Sequence, residues 1–125
     1  MSLNSYIRLF RENLSKLQEL GYSESLKINE EIRANKQFIL TVEIIFSNGS
    51  TLHIKDYIDG RYKIDRISYA YHYQDRNGKC LFRYDNATHK PPLEFREHKH
   101  KEDGTIIEAP LPDISELLDE VIQYL

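Results

Sequence analysis

Four of the chain's five histidines, His72, His89, His98 and His100, fall between Ser68 and Lys101, among a dense run of tyrosine, arginine and aspartate. These are the side chains that acid–base and phosphate chemistry uses. Histidine exchanges a proton near neutral pH, and the planar guanidinium of arginine donates two parallel hydrogen bonds to a phosphate. Cleavage of RNA by its own 2′-hydroxyl needs a base, an acid for the leaving oxygen and a cation on the crowded phosphate. The candidate catalytic residues are therefore His72, Arg83, Tyr84, Asp85, His89, His98 and His100. Arg83 would hold phosphate, a histidine pair would move protons, and Asp85 would orient one histidine. Tyr71, Tyr73, Arg96, Lys99 and Lys101 are the candidate substrate-binding residues, because aromatic rings stack on bases and cations meet the nucleic-acid backbone.

The same residues could serve a metal. His98 and His100 are two apart and so share one face of a strand, and Asp85 or His89 would have to complete the ligand set from across a loop. Histidine pairs also occur on solvated strands that bind nothing, and the expectation is no metal and no cofactor. Each residue has an ordinary role as well: His72 as a half-buried strand residue, the tyrosines as packing, Arg83 as a cross-strand partner of Asp75 or Asp85. Their crowding into one segment is what favours a site. His53, between Leu52 and Ile54, faces away from those apolar neighbours and is left out of it. Cys80 reads as a small strand hydrophobe, and no phosphate-binding glycine loop or serine or cysteine hydrolase motif is present.

Regular elements must bring these side chains together. Leu3, Ile7, Phe10, Leu14 and Leu17 recur at helical spacing with charged residues between them, which predicts a helix over residues 3–20, capped by Ser2 or Asn4 and closed at Gly21. Leu26 and Ile28 suggest a first strand within 23–32. Residues 37–46, with Leu40, Val42, Ile44 and Phe46 on one side, predict a central strand. Ser47-Asn48-Gly49-Ser50, Asp59-Gly60 and Asn77-Gly78 then mark turns, the first a two-residue hairpin, between strands at 51–58, 61–75 and 79–85.

On the 61–75 strand, alternation places Ile67, Tyr69, Tyr71 and Tyr73 opposite Arg66, Ser68, Ala70, His72 and Gln74. On 79–85 it groups Cys80 with Phe82 and Tyr84. Pro91-Pro92 breaks the pattern, 93–101 reads as a ragged edge strand, and 105–108 adds a few residues. Asp113 begins a closing helix with an apolar stripe from Ile114 to Leu125. The expected fold is α+β: one domain over residues 1–125, an antiparallel meander of five or six strands, and two helices on one sheet face.

Composition narrows the class. With 125 residues, 40% hydrophobic and 30% charged, the chain reads as a globular domain able to bury one core. A single cysteine excludes a disulfide framework and a four-thiolate zinc site, and points to a reducing compartment, the cytoplasm. No apolar run approaches the roughly 20 residues of a membrane span, so no membrane association is expected. The net charge of −3 conceals an asymmetry: residues 61–101 carry ten Lys/Arg against five Asp/Glu, whereas residues 102–125 carry none against seven. A basic middle containing histidines suits an anionic partner such as RNA.

The run from Ile64 to His100 resembles the TumE-like family of small prokaryotic toxins. Tyr69, Tyr71, His72, Asp75, Gly78, the block Phe82–Ala87, His89 and His98-Lys99-His100 carry the likeness. The chain departs from the family pattern at Thr88, Lys90 and Arg96-Glu97, where members place proline and further histidines. Two of those histidines are thus missing, which weakens a metal centre built on the full cluster. The resemblance implies the toxin component of a toxin–antitoxin pair, with a helix-turn-helix antitoxin as partner. Its oligomeric state is open. Two other classes are weighed beside an RNA-directed toxin: a non-catalytic protein- or nucleic-acid-binding domain, and a metal-binding regulatory domain.

Overall fold

The computed structural model describes residues 2–87 and 95–125. In chain order the elements are α1 (Leu3–Glu19), β1 (Ser23–Arg33), β2 (Gln37–Phe46), β3 (Thr51–Asp59), β4 (Asp65–Gln74), β5 (Cys80–Asp85), β6 (His98–Lys101), β7 (Ile106–Glu108) and α2 (Ile114–Ile122). The strands pair in that order, each antiparallel to the next. The α+β expectation holds, with seven strands among the described residues in place of five or six. The segment read as a ragged edge is interior, because β7 pairs outside β6. β7 falls within residues 105–108, the segment expected to add a few residues to the sheet.

Both helices form where their caps and stripes say they should. Ser2 accepts a hydrogen bond from the Ser5 N–H at the start of α1, and Asp113 accepts one from the Glu116 N–H at the start of α2. Tyr6, Ile7, Phe10, Leu14 and Leu17 of α1 and Ile114, Leu117, Leu118 and Val121 of α2 are buried. They join one cluster with Phe38 to Phe46, Leu52, Ile54, Ile58, Tyr69, Tyr71, Tyr73, Phe82 and Tyr84, so both helices cover the same sheet face.

Two β-bulges decide what lies on which face. Between β3 and β4 the register shifts at Tyr57/Ile58, so Ile58 pairs with Arg66 while Tyr57 pairs with Ser68. Simple alternation, which puts Arg66 opposite the tyrosines, fails here. The extra residue, Ile67, is left 40% exposed, and Arg66 turns to the helix side, 3.5 Å from buried Asp56. Between β4 and β5 the shift at Tyr73/Gln74 pairs Gln74 with Cys80 and Tyr73 with Phe82. Cys80 therefore leaves the Phe82 side and comes within 4.0 Å of His72.

The first turn also differs from the expected two-residue hairpin. The Gly49 N–H donates to the Phe46 carbonyl and the Phe46 N–H to the Ser50 carbonyl; Gly78, Asp75 and Lys79 repeat the arrangement. Only the glycines have positive φ, +84° in both, so each is a three-residue loop ending in a glycine bulge. Asp75 fixes the second loop by accepting the N–H groups of Asn77 and Lys79.

Candidate functional site

Three adjacent strand pairings build a row of polar side chains on the sheet face that the helices leave uncovered. His53 of β3 pairs with His72 of β4, His72 with Arg83 of β5, and Arg83 with His100 of β6. Each neighbour in such a row stands roughly 5 Å from the next. Asp85 and His98, one step along the same face, pair with each other. Antiparallel pairing places them there; the intervening residues carry the core.

Asp85 is the hub of this group. Its Oδ2 accepts from Arg83 Nε at 2.8 Å, and its Oδ1 accepts the Ala87 N–H at 3.0 Å. His98 Nε2 lies 2.6 Å from Oδ1, and His100 Nε2 lies 3.3 Å from Oδ2. Burial opposes ionisation of the Asp85 carboxyl, but the Arg83 hydrogen bond, the Ala87 N–H and the charges of His98 and Arg83 outweigh it and hold the carboxyl below the usual range.

The histidines sit differently. The His98 side chain is 0% exposed and that of His100 is 25% exposed. His98 Nδ1 lies 2.8 Å from the Arg96 carbonyl, which can only accept, so Nδ1 carries a proton and Nε2 is turned to Asp85. His72 is half-buried, with Nε2 3.2 Å from Gln74 Oε1. Its pKa is lowered, first by burial and then by the nearby Arg83 and His53 charges, which leaves the ring neutral at physiological pH. The Arg83 side chain is 38% exposed and so reaches solvent beside it. Two imidazoles flanking a guanidinium, with one imidazole backed by a carboxylate, can bind an anion and move protons on either side of it.

Residues 10–125 match the family described as Toxin TumE. The chain belongs to the TumE toxin family. No curated protein and no solved structure matches it. Family membership makes this TumE-family chain a toxin and implies an antitoxin as its partner. Among the described residues no helix is long and apolar enough to cross a membrane.

In this TumE-family toxin five of the twelve candidate residues share the sheet face opposite the helices: His72, Arg83 and His100, with Asp85 and His98 buried there. His89 lies outside the described residues. Tyr71, Tyr73 and Tyr84 are buried on the opposite face, where their hydroxyls donate to Asp56, Ser50 and Glu120. Strand alternation separates them from the histidines, so they do not stack on anything bound there. Lys99 and Lys101 pair with Tyr84 and Phe82 and share that helix side. Lys99 is bound to Glu120 of α2 at 2.9 Å, and both lysines line a groove of about 510 Å³ beside Tyr124. Arg96 precedes β6 and contributes its carbonyl to His98.

Sequence reasoning left His53 out, yet it continues the row at 6.3 Å ring-to-ring from His72. It faces away from Leu52 and Ile54, as its flanking residues required. Its membership became visible only through the register of β3 on β4. Gln74 and Cys80, which contact the two nitrogens of His72, were hidden by the second bulge.

Proposed function

We propose that this toxin acts on RNA, cleaving the chain by attack of a ribose 2′-hydroxyl on the adjacent phosphodiester. The observation that carries the reading is the cross-strand row His72–Arg83–His100. The two histidines lie two strand spacings apart, roughly 10 Å at the backbone, with the cation between them. Arg83 holds the non-bridging phosphate oxygens. His72, neutral, takes the proton from the 2′-hydroxyl; His100 delivers one to the departing 5′-oxygen. Products are a 2′,3′-cyclic phosphate and a free 5′-hydroxyl, with no net loss or gain of protons. Asp85 and His98 are positioning residues: the carboxylate holds both Arg83 and His100, and His98 closes its other oxygen.

A helix-turn-helix antitoxin is the partner proposed for the toxin, and the cytoplasm, which holds both RNA and antitoxin, is the proposed compartment. Of the basic segment 61–101, Arg83 stands in the row and meets the phosphate, while Arg66, Lys99 and Lys101 lie on the helix side.

Controlled expression tests this reading. The parent chain should arrest growth, and Arg83→Ala and His100→Ala, checked for normal folding, should relieve the arrest. Equal inhibition by all three proteins, or none by the parent, would remove the proposal.

A further inference from the structure

We propose that Asp85, His98 and His100 also form a binding site for one divalent transition-metal ion of the zinc class. One ligand atom from each residue lies within 4.8 Å of the other two. Both imidazoles present Nε2 to the same carboxylate, at 2.6 Å and 3.3 Å. Zinc bonds of about 2.0–2.2 Å to nitrogen and oxygen place tetrahedral ligand atoms roughly 3.3 Å apart. The His100 spacing matches that value and the His98 spacing is shorter by less than about 1 Å, so a small separation of His98 from Asp85 admits the ion. Two imidazoles and one carboxylate suit zinc and its neighbours better than calcium or magnesium, which prefer all-oxygen shells.

The surroundings supply the support that metal-binding imidazoles carry. The Arg96 carbonyl fixes the His98 proton on Nδ1 and so aims Nε2 inward. Asp85 is oriented by the Ala87 N–H and by Arg83. Among the described residues these three are the ligands, and a fourth completes a tetrahedral shell.

Metal binding and the proposed RNA chemistry exclude one another, a consequence that rests on the reading given under Proposed function. The ion takes the Nε2 of His100 and competes with Arg83 for the Asp85 carboxylate. Occupancy therefore switches the RNA-directed site off.

The test uses the full chain, stripped of metal with a chelator and then titrated with zinc and with cobalt(II), whose visible absorption reports nitrogen and oxygen coordination. Elemental analysis after gel filtration gives the stoichiometry. One ion per chain is expected, with affinity about tenfold or more weaker in His100→Ala and in Asp85→Asn, and unchanged in His53→Ala on the same face. The quarter-exposed His100 side chain makes His100→Ala the variant that keeps the test open if Asp85→Asn fails to fold. Substoichiometric binding, or affinity unaltered by His100→Ala, overturns the site. RNA cleavage by the metal-free protein is read separately: stoichiometric binding without cleavage upholds the metal site and rejects the RNA reading, and cleavage without binding does the reverse.

Discussion

His98 Nε2 lies 2.6 Å from Asp85 Oδ1, and the two side chains are 0% and 3% exposed. Deleting His98 empties a fully buried site and leaves Asp85 Oδ1 with the Ala87 N–H alone, while Arg83 and His100 still hold Oδ2. His98→Ala should therefore cost about 3–5 kcal/mol, in the range for breaking a buried ion pair by deleting one partner. Urea unfolding measures it, and a loss below about 1 kcal/mol would mean that the pair does not hold β5 to β6.

The same pair sets a pH dependence. Folding lowers the Asp85 pKa, so its contribution to stability is complete above the unfolded carboxyl value of about 3.9 and disappears as pH falls through the lower folded value. Unfolding midpoints followed from pH 6 downward should fall more steeply below about pH 4 in the parent chain than in Asp85→Asn. Parallel curves would contradict this.

On the opposite face, Asp56 is fully buried and its Oδ2 accepts from Tyr6 at 2.6 Å and from Tyr71 at 2.8 Å. Arg66 stands beside it. Asp56→Ala leaves two hydroxyls without their acceptor and Arg66, which still donates to the Tyr6 hydroxyl, without its counter-ion, and should cost about 3–5 kcal/mol, whereas Tyr71→Phe removes a single donor and should cost about 1 kcal/mol. Denaturant titration of the two variants checks the order; equal losses would show that the carboxylate is not the centre of the network.

Six of the nine tyrosines, Tyr6, Tyr69, Tyr71, Tyr73, Tyr84 and Tyr124, have pKa values raised first of all by burial. Folding keeps these phenols neutral, so the stability they confer is present below about pH 10 and is lost as pH rises through their raised values. Phenolate absorbance should therefore appear at higher pH in the native protein than in the unfolded chain, and unfolding should accompany it. Coincident native and unfolded titrations would rule this out.

The elements were legible because each carries a local cause. The α1 stripe, the β2 alternation, the glycine turns and the Asp113 cap each act within a few residues, and the observed boundaries follow them closely. What could not be read depends on pairing between strands. Arg66 and Cys80 changed faces because single extra residues, Ile67 and Leu81, interrupt the ladders. Once β5 and β6 pair, alternation places Arg83, Asp85, His98 and His100 together and Tyr84 and Lys99 behind them. The candidate set mixed both faces because it was gathered by nearness in sequence. Buried Asp56 gave no sign of itself, since a lone aspartate between Lys55 and Tyr57 looks like a solvated residue until Tyr6 and Tyr71 are seen to reach it.

His72 gives the RNA chemistry its acid limb. Burial and Arg83 lower its pKa, so the neutral base persists below the ordinary histidine value of about 6.5 and is lost only at lower pH. Arg83→Ala removes one of the charges that lowers it and should move the acid limb of the residual activity to higher pH. An acid limb that stays in place would separate His72 from the reaction.

The most direct measurement is the chemistry of the ends. Metal-free toxin incubated with single-stranded RNA should yield 2′,3′-cyclic phosphate and 5′-hydroxyl termini, and His72→Ala and His100→Ala should each lose this by about a hundredfold or more. Intact RNA with the wild-type protein, or the same cleavage by both variants, would contradict a row of two histidines about Arg83 as the toxin's working site.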